Sequence, residues 1–397
     1  MALSFLFLVG IQASFGQSVQ DTIASTSYKK TMVRVSIQNG NILKNNTPYL
    51  STIDAEGNPI KATKAVSLEY GWQMLGGKEW HQTCKYPGIG IGLQYLHVVK
   101  RDDLGHPYSI YGFYDGVYFR TKRMAITNRM AAGLTYGLAT YNPNDELPND
   151  VIGSKINAFA ELGVGVSAQL SDFLYVEPGF RFNHISNGNI RRPQRGINVV
   201  SYSLGLKYVF GETPNEPVRI PLNKCEHSHE VLAFMGLATR QLEFGDDDNP
   251  LNHNTYGLNY LMANLHLGYN HGVTRRLKLG GGVDLIYDGT NGAKYAATSR
   301  IPQKGDVPFG DKIGLSVFIG GETAIDRLSI VTTLGYMVAQ KRFEESSPAF
   351  EQRLGFKYHF YKHVFAGANI RAYRFRAAKA IEFNIGVRKP INKKGRL

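Results

Sequence analysis

The feature that most constrains the fold is an alternation of apolar with polar residues that recurs along most of the 397-residue chain. Residues 154–168 show it most clearly. Every second residue from 156 to 166 is apolar: Ile156, Ala158, Ala160, Leu162, Val164 and Val166. The positions between them are mostly polar residues or glycine. Successive side chains of a β-strand point to opposite faces, so the pattern predicts a strand with one apolar face.

Segments of this kind follow one another in two sets. The first set lies near residues 31–43, 63–75, 86–98, 108–121, 124–139, 154–168, 174–187 and 197–210. The second lies near 230–242, 255–270, 276–288, 312–325, 328–340, 350–361, 363–375 and 378–391. An apolar outer face, a polar or glycine-rich inner face and this segment length are typical of transmembrane barrels, whereas a soluble β-sandwich, the alternative, usually has shorter strands. We therefore predict an all-β protein, an antiparallel outer-membrane transmembrane β-barrel of about 16 strands.

The two sets resemble each other, which indicates an internal duplication. The run "FLYVEPGFRFNHIS" followed by "INVVSYSLGLKYVF" parallels "HVFAGANIRAYRF" followed by "AKAIEFNIGVRKPI". A repeat of this length predicts an 8+8 arrangement. The connection 211–229 between the sets is much longer than a hairpin turn. It favours two eight-strand barrels in tandem, with one large barrel as the alternative.

The remaining organisation follows from the N-terminus and from the two sets. Residues 1–16 have the apolar run and the small residues Ser14 and Gly16 that are typical of a signal peptide. The expected order is then a polar leader at 17–30, a first barrel unit at 31–210, a periplasmic linker at 211–229 and a second unit at 230–391. We expect a multi-pass barrel in the outer membrane of a Gram-negative cell.

Only two cysteines are present, Cys84 and Cys225. The predicted topology places both on the periplasmic side, where disulfide bonds persist. We predict that they are bonded to each other and hold the linker to the first unit.

The net charge of +13 limits the classes of partner. A basic chain suits nucleic acid or an anionic membrane surface such as lipopolysaccharide. No dense Lys/Arg run is interleaved with aromatic residues, so we expect a lipid surface and no nucleic acid. No feature of the sequence indicates an oligomeric state.

The stretch "FRFNHISNGNI" places reactive side chains on an apolar face. His184 and Ser186 have the same parity as Phe180 and Phe182, so they lie on the predicted lipid-facing wall near the outer end of their strand. A histidine beside a serine suits nucleophilic catalysis, because a serine hydroxyl becomes a good nucleophile only when a neighbouring base accepts its proton.

The longer stretch "HISNGNIRRPQRGIN" resembles the signature of the lipid A 3-O-deacylase family, outer-membrane barrels that remove an ester-linked acyl chain from lipid A. The resemblance covers the first half of the chain, roughly 31–210. It implies that Ser186 is the nucleophile and His184 its general base. Asn187 and the Gly188 amide would form an oxyanion hole.

One position departs from the family pattern. Asn198 stands where the family has an acidic residue that orients the imidazole. An asparagine oxygen can still hold the ring in the required tautomer, although it stabilises an imidazolium less well than a carboxylate. The alternative hypothesis is therefore a noncatalytic barrel, a pore or structural protein, with a decayed motif.

Three arginines follow the motif in the same loop: Arg191, Arg192 and Arg195. Guanidinium groups bind phosphate well, so these residues are candidates to bind the lipid A phosphates. We expect neither a cofactor nor a metal ion. The second half has Arg374 and Arg376 where the motif has its histidine and serine, and we expect no active site there.

Overall fold

A computed structural model of the chain describes residues 27–43, 49–51, 60–142, 145, 149–211, 217–222, 228–245, 253–293, 307–342, 349–373 and 377–391. Within these ranges the fold is all-β, with sixteen antiparallel strands. The strands form two closed barrels, in two compact units of the chain. The prediction of an 8+8 antiparallel barrel protein is confirmed, and the alternative of one large barrel is wrong.

The first barrel contains the first eight strands. They are β1 (Tyr28–Ile42), β2 (Ala62–Gly76), β3 (Gly88–Val98), β4 (Gly105–Arg120), β5 (Met124–Leu138), β6 (Ile156–Gln169), β7 (Leu174–Ser186) and β8 (Ile197–Phe210). Each strand pairs with its neighbour in sequence, and β1 closes the barrel by pairing with β8 in the register Val35↔Leu206. A short helix, α1 (Glu79–Thr83), lies between β2 and β3.

The second barrel has the same order of hydrogen-bonded strands. They are β9 (His229–Gly245), β10 (His253–Gly272), β11 (Leu277–Asp288), β12 (Ile313–Ile325), β13 (Leu328–Gln340), β14 (Phe350–His359), β15 (Val364–Tyr373) and β16 (Ala377–Ile391). The barrel closes between β16 and β9, in the register Ile385↔Met235.

Side chains of the first barrel are arranged with the apolar groups outside and the polar groups inside. On β1 the apolar side chains Val35 and Ile37 are 48% and 55% exposed, whereas Arg34 and Gln38 are 3% and 6% exposed. Water would not favour this distribution, but hydrocarbon does, because lipid solvates apolar side chains and the lumen accommodates the polar ones. The alternation in the sequence therefore reflects the two environments of the barrel wall, lipid on the outside and a polar lumen on the inside.

Ion pairs fill the middle of the first barrel. Arg34 donates hydrogen bonds to three carboxylates: Glu69 at 2.6 Å, Asp115 at 2.7 Å and Glu177 at 2.8 Å. Arg129 donates to Asp115 at 2.9 Å and to Glu69. Buried charges of opposite sign that are also hydrogen-bonded compensate one another's loss of hydration. The interior is thus packed with side chains, as expected for an eight-strand barrel.

Apolar side chains gather at one end of the first barrel, which we call the loop end. It carries the connections 43–61, 99–104, 139–155 and 187–196. The apolar cluster contains residues from these loops and from the adjoining strands: Ile42, Tyr49, Val98, Leu104, Leu138, Val151, Ile152, Ile185 and Ile197. This packing holds the described parts of these loops against the strand ends.

The second barrel also has an ionic interior. Lys357 donates to Glu322 at 2.6 Å, and Arg371 donates to Glu351 at 2.7 Å. These four side chains are buried. Buried ion pairs therefore occur in the lumen of both barrels of the duplicated chain.

Several sequence predictions fall outside the described residues. These are the signal peptide at 1–16, most of the polar leader, and Cys225, the predicted disulfide partner of the buried Cys84. Arg374 and Arg376 also lie outside the described residues. Among the residues that the structure describes, no helix has the length and apolar character required to cross a membrane.

Candidate active site

The predicted catalytic residues lie on the outer wall of the first barrel, at the loop end. On β7 the inner positions carry Glu177 and Asn183, which are buried in the lumen. His184 and Ser186 have the opposite parity and share the outer face with Phe180. The sequence prediction that they share the apolar face is therefore borne out by the strand geometry.

Antiparallel pairing brings Asn198 to the same place. β7 and β8 pair in the register His184↔Asn198, so the two side chains lie directly opposite each other on the outer face. On the other side of β7, Ala158 and Ala160 of β6 face Ser186 and His184. The imidazole thus lies between small side chains on one side and an amide on the other.

A chain of two hydrogen bonds joins the three polar side chains. The His184 Nδ1–H donates to Asn198 Oδ1 at 2.7 Å, and the Ser186 hydroxyl donates to His184 Nε2 at 2.9 Å. Because an amide oxygen can only accept, His184 Nδ1 carries the proton and the Nε2 lone pair faces the serine. This is the arrangement that a general base requires to remove the proton from a serine hydroxyl.

The loop that precedes β8 packs closely over this chain. Gly196 has a φ of +70°, and a Cβ built there would lie 3.3 Å from both His184 Cε1 and Ser186 Cβ. A side chain at this position would be strained by its backbone and crowded by the imidazole. The Ser186 side chain is sheltered as a result and is only 5% exposed.

Asn187 is held by two hydrogen bonds from different directions. Its side-chain Nδ2 donates to Ser154 Oγ at 2.9 Å, and its backbone N–H donates to Gln194 Oε1 at 3.2 Å. The Ser154 hydroxyl in turn donates to the carbonyl oxygen of Ile156 at 2.9 Å. The Asn187 amide therefore has a fixed direction, immediately after Ser186 in sequence.

The loop before β6 supports the loop before β8. Val151 accepts hydrogen bonds from the backbone N–H groups of Arg195 at 3.0 Å and Gly196 at 3.3 Å. Ile152 forms an antiparallel bridge with Gln194. Val151 and Ile152 are also fully buried in the apolar cluster, so the loop over the site is tied to a packed part of the barrel.

The other predicted site residues follow Asn187 in sequence. Gly188 follows Asn187 with a φ of +61°, in the left-handed region that favours glycine. Arg191 and Arg195 are exposed, and Arg192 is partly buried. All three arginines lie in the loop 187–196, as the sequence predicted.

Sequence reasoning did not find Ser154, Gln194 or Val151 as parts of the site. Ser154 precedes Asn187 by 33 positions, and Val151 lies in a connection without alternation. Loop contacts of this kind depend on how the connections fold over the barrel end, which strand periodicity does not encode.

A closed antiparallel barrel with an apolar outer wall and an ion-paired lumen is the architecture of an outer-membrane β-barrel protein. Comparison with known families is more specific. Residues 64–207 match the family described as lipid A 3-O-deacylase (PagL), and residues 227–393 match the family described as acyloxyacyl hydrolase, C-terminal domain. The chain belongs to the lipid A 3-O-deacylase family. Its function at the family level is hydrolysis of lipid A acyl groups in the outer membrane.

Comparison with curated proteins gives no match. Among solved structures, neisserial surface protein A aligns at 12% identity and a TM-score of 0.30, over 45% of this chain and 97% of that one. OccK5 of Pseudomonas aeruginosa aligns at 10% identity and a TM-score of 0.20, over 91% and 97% of the two chains. At these TM-scores the similarities say nothing about function.

Proposed function

We propose that this protein is a serine esterase that removes an ester-linked acyl chain from lipid A, with Ser186 as the nucleophile and His184 as the general base. The observation that carries the proposal is the hydrogen-bonded chain Ser186–His184–Asn198 on the outer wall of the first barrel. A Ser–His pair that is oriented by a third polar group is the arrangement used by serine hydrolases on unrelated folds.

The reaction takes place in two steps, acylation of Ser186 and hydrolysis of the acyl-serine. Ser186 Oγ attacks the ester carbonyl carbon while its proton passes to His184 Nε2. The tetrahedral intermediate collapses, the bond to the sugar oxygen breaks, and the imidazolium returns the proton to that oxygen. Water, activated by the same imidazole, then attacks the acyl-serine and releases a free fatty acid.

The negative charge on the substrate oxygen needs donors that are already in place. We assign this role to the Asn187 side-chain amide and the Gly188 backbone N–H. The hydrogen bond from Asn187 to Ser154 supports the assignment because it fixes the direction of the amide before substrate arrives. Donors that need no reorganisation stabilise an oxyanion most effectively.

The location of the site fits a membrane-embedded substrate. A lipid in the outer leaflet reaches the outer wall of a barrel by lateral diffusion, whereas the lumen is closed to it. The proposal places the loop end of the first barrel at the cell exterior, where lipid A lies. There Arg191, Arg192 and Arg195 would bind its phosphates as bidentate donors.

The alternative of a noncatalytic pore has less support. In the described part of the first barrel, the lumen is filled by ion pairs centred on Arg34 and Arg129. In the second barrel, buried pairs such as Lys357 with Glu322 occupy the corresponding space. Eight strands leave room for side chains rather than for a water-filled channel.

The test is lipid A mass spectrometry with the purified full-length protein and its Ser186→Ala variant. We expect the wild type to remove a fatty acid and the variant to be slower by about a thousandfold or more, as for loss of an activated nucleophile. Ser171→Ala is the matched control, because Ser171 lies in the β6–β7 turn at the opposite end of the barrel. Heat-modifiable gel migration should be unchanged in both variants. Equal deacylation by wild type and Ser186→Ala would show that the nucleophile is assigned wrongly.

A further inference from the structure

A second cluster of reactive side chains lies on the outer wall of the first barrel, at the hairpin between β3 and β4. The strands pair up to Tyr95↔Tyr108, and two further residues on each strand bring His97 opposite His106. The two imidazole rings are nearly parallel, with centroids 6.5 Å apart and an interplanar angle of 12°. Asp102 lies in the short turn between the strands.

We propose that His97, Asp102 and His106 form a binding site for a divalent transition metal, with Zn²⁺ the best match. One potential ligand atom from each residue lies within 4.8 Å of the other two. Two imidazole nitrogens and one carboxylate oxygen form a ligand set that zinc prefers, at about 2.0–2.2 Å from the metal.

The orientation of His106 supports this site. The His106 Nδ1 atom and the Tyr95 hydroxyl are hydrogen-bonded at 3.1 Å, and the two rings are stacked. When His106 Nδ1–H donates to Tyr95 Oη, the Nε2 atom is the one that binds metal. Metal-bound histidines generally donate their second N–H to such an outer partner, which fixes the ring orientation.

The residues on either side of Asp102, Arg101 and Asp103, are paired with each other. The adjacent Asp103 is held by Arg101, whose Nε and Nη2 atoms each donate to the carboxylate at 2.8 Å. That hydrogen bond keeps the pKa of the Asp103 carboxyl below its usual value. Arg101 also donates to the carbonyl oxygen of Tyr49 at 2.9 Å, and Leu104 is fully buried. The turn is therefore anchored by Arg101 and Leu104, and Asp102 is exposed near the two histidines.

The proposed site has three protein ligands, so a tetrahedral metal would keep one position for a water molecule. It lies at the same end of the barrel as Ser186 but on strands β3 and β4 rather than β7 and β8. This inference departs from the expectation, drawn from the sequence, that the protein has no metal site.

The experiment uses full-length protein without a histidine tag, purified in detergent and treated with a chelator. Isothermal titration with Zn²⁺ should show one site per chain. Co²⁺ should give the visible absorption bands of a tetrahedral complex. His97→Ala and His106→Ala should each weaken Zn²⁺ binding by roughly a hundredfold or more, and Tyr95→Phe by about tenfold.

His271→Ala is the matched control, because the His271 and His229 rings are also neighbours, with centroids 4.8 Å apart and an interplanar angle of 44°. No carboxylate completes that pair into a three-ligand cluster among the described residues. Retention of full Zn²⁺ affinity in His97→Ala and His106→Ala would overturn the proposal. An equal loss of affinity in His271→Ala would also overturn it. Heat-modifiable migration of each variant separates loss of the metal site from loss of the fold.

Discussion

His184 and Asn198 lie opposite each other on adjacent strands, and the histidine donates its Nδ1–H to the asparagine oxygen at 2.7 Å. The neutral amide holds the ring in the tautomer that a general base requires. It is a weaker constraint than a carboxylate, because an amide that turns by 180° offers a donor to Nδ1 and favours the opposite tautomer.

The first prediction is that Asn198→Asp raises kcat for lipid A deacylation by roughly tenfold or more, since an isosteric carboxylate can only accept and also stabilises the imidazolium. Asn198→Ala should lower kcat by about tenfold to a hundredfold, the effect expected from loss of one hydrogen bond to a group that becomes charged. Initial rates of fatty acid release measure both effects. Val200→Ala, at the next outward position of β8, is the control. If Asn198→Ala retains full activity, Asn198 does not orient the base.

The second prediction concerns the oxyanion donors. Asn187→Ala should lower kcat by roughly a hundredfold to a thousandfold with little change in KM, because the amide interacts with charge that develops only in the transition state. Ser154→Ala should have a smaller effect of about tenfold, since Ser154 only orients the amide. Steady-state kinetics of the purified variants distinguish the two. If kcat stays the same in Asn187→Ala, the oxyanion is stabilised by other groups.

The strands could be predicted from the sequence because lipid and lumen make opposite demands on alternate positions. β10 shows the accuracy: the alternation predicted residues near 255–270, and the strand extends from His253 to Gly272. The parity of His184 and Ser186 followed from the same rule. Side-chain parity is a local property, so one sequence is enough to derive it.

The parts of the site that the sequence did not reveal depend on contacts between loops. Alternation does not specify that Val151 accepts two hydrogen bonds from the loop before β8. It also does not specify that Gly196 packs against the imidazole. The proposed metal ligands His97 and His106 were missed for a related reason. They approach each other only through the β3–β4 register, and that register depends on where the hairpin turns.

The third prediction concerns recognition of the lipid A phosphates. The double change Arg191→Ala with Arg195→Ala should raise KM by roughly tenfold to a hundredfold, because hydrogen bonds between charged groups are lost. The same change should leave kcat within a few-fold, since these contacts bind ground state and transition state alike. Rates measured against the mole fraction of lipid A in mixed micelles give both constants. Arg123→Ala, an exposed change in the β4–β5 turn, should leave KM unchanged. A fall in kcat with constant KM in the double variant would contradict the phosphate-binding role.

The last prediction is that residues 27–222 fold without the second barrel. All eight strands of the first barrel find their hydrogen-bonding partners within this span, including the closing pair of β1 with β8. The segment after β8 also belongs to this unit: the Val218 N–H donates to the Leu75 carbonyl at 2.6 Å, and the Ile220 N–H donates to Gln82 Oε1 at 2.9 Å.

Refolded in detergent, the 27–222 fragment should migrate faster on a gel before heating than after, as a closed barrel does. It should also release fatty acid from lipid A if the proposed function is correct. A fragment of residues 27–196 is the matched control, because it lacks β8 and leaves the edges of β1 and β7 unpaired. It should aggregate and show no shift on heating. If the 27–222 fragment aggregates under conditions in which the full chain refolds, the second barrel is required for the first to close. The two barrels would then be one folding unit, although each closes through its own strand pairing.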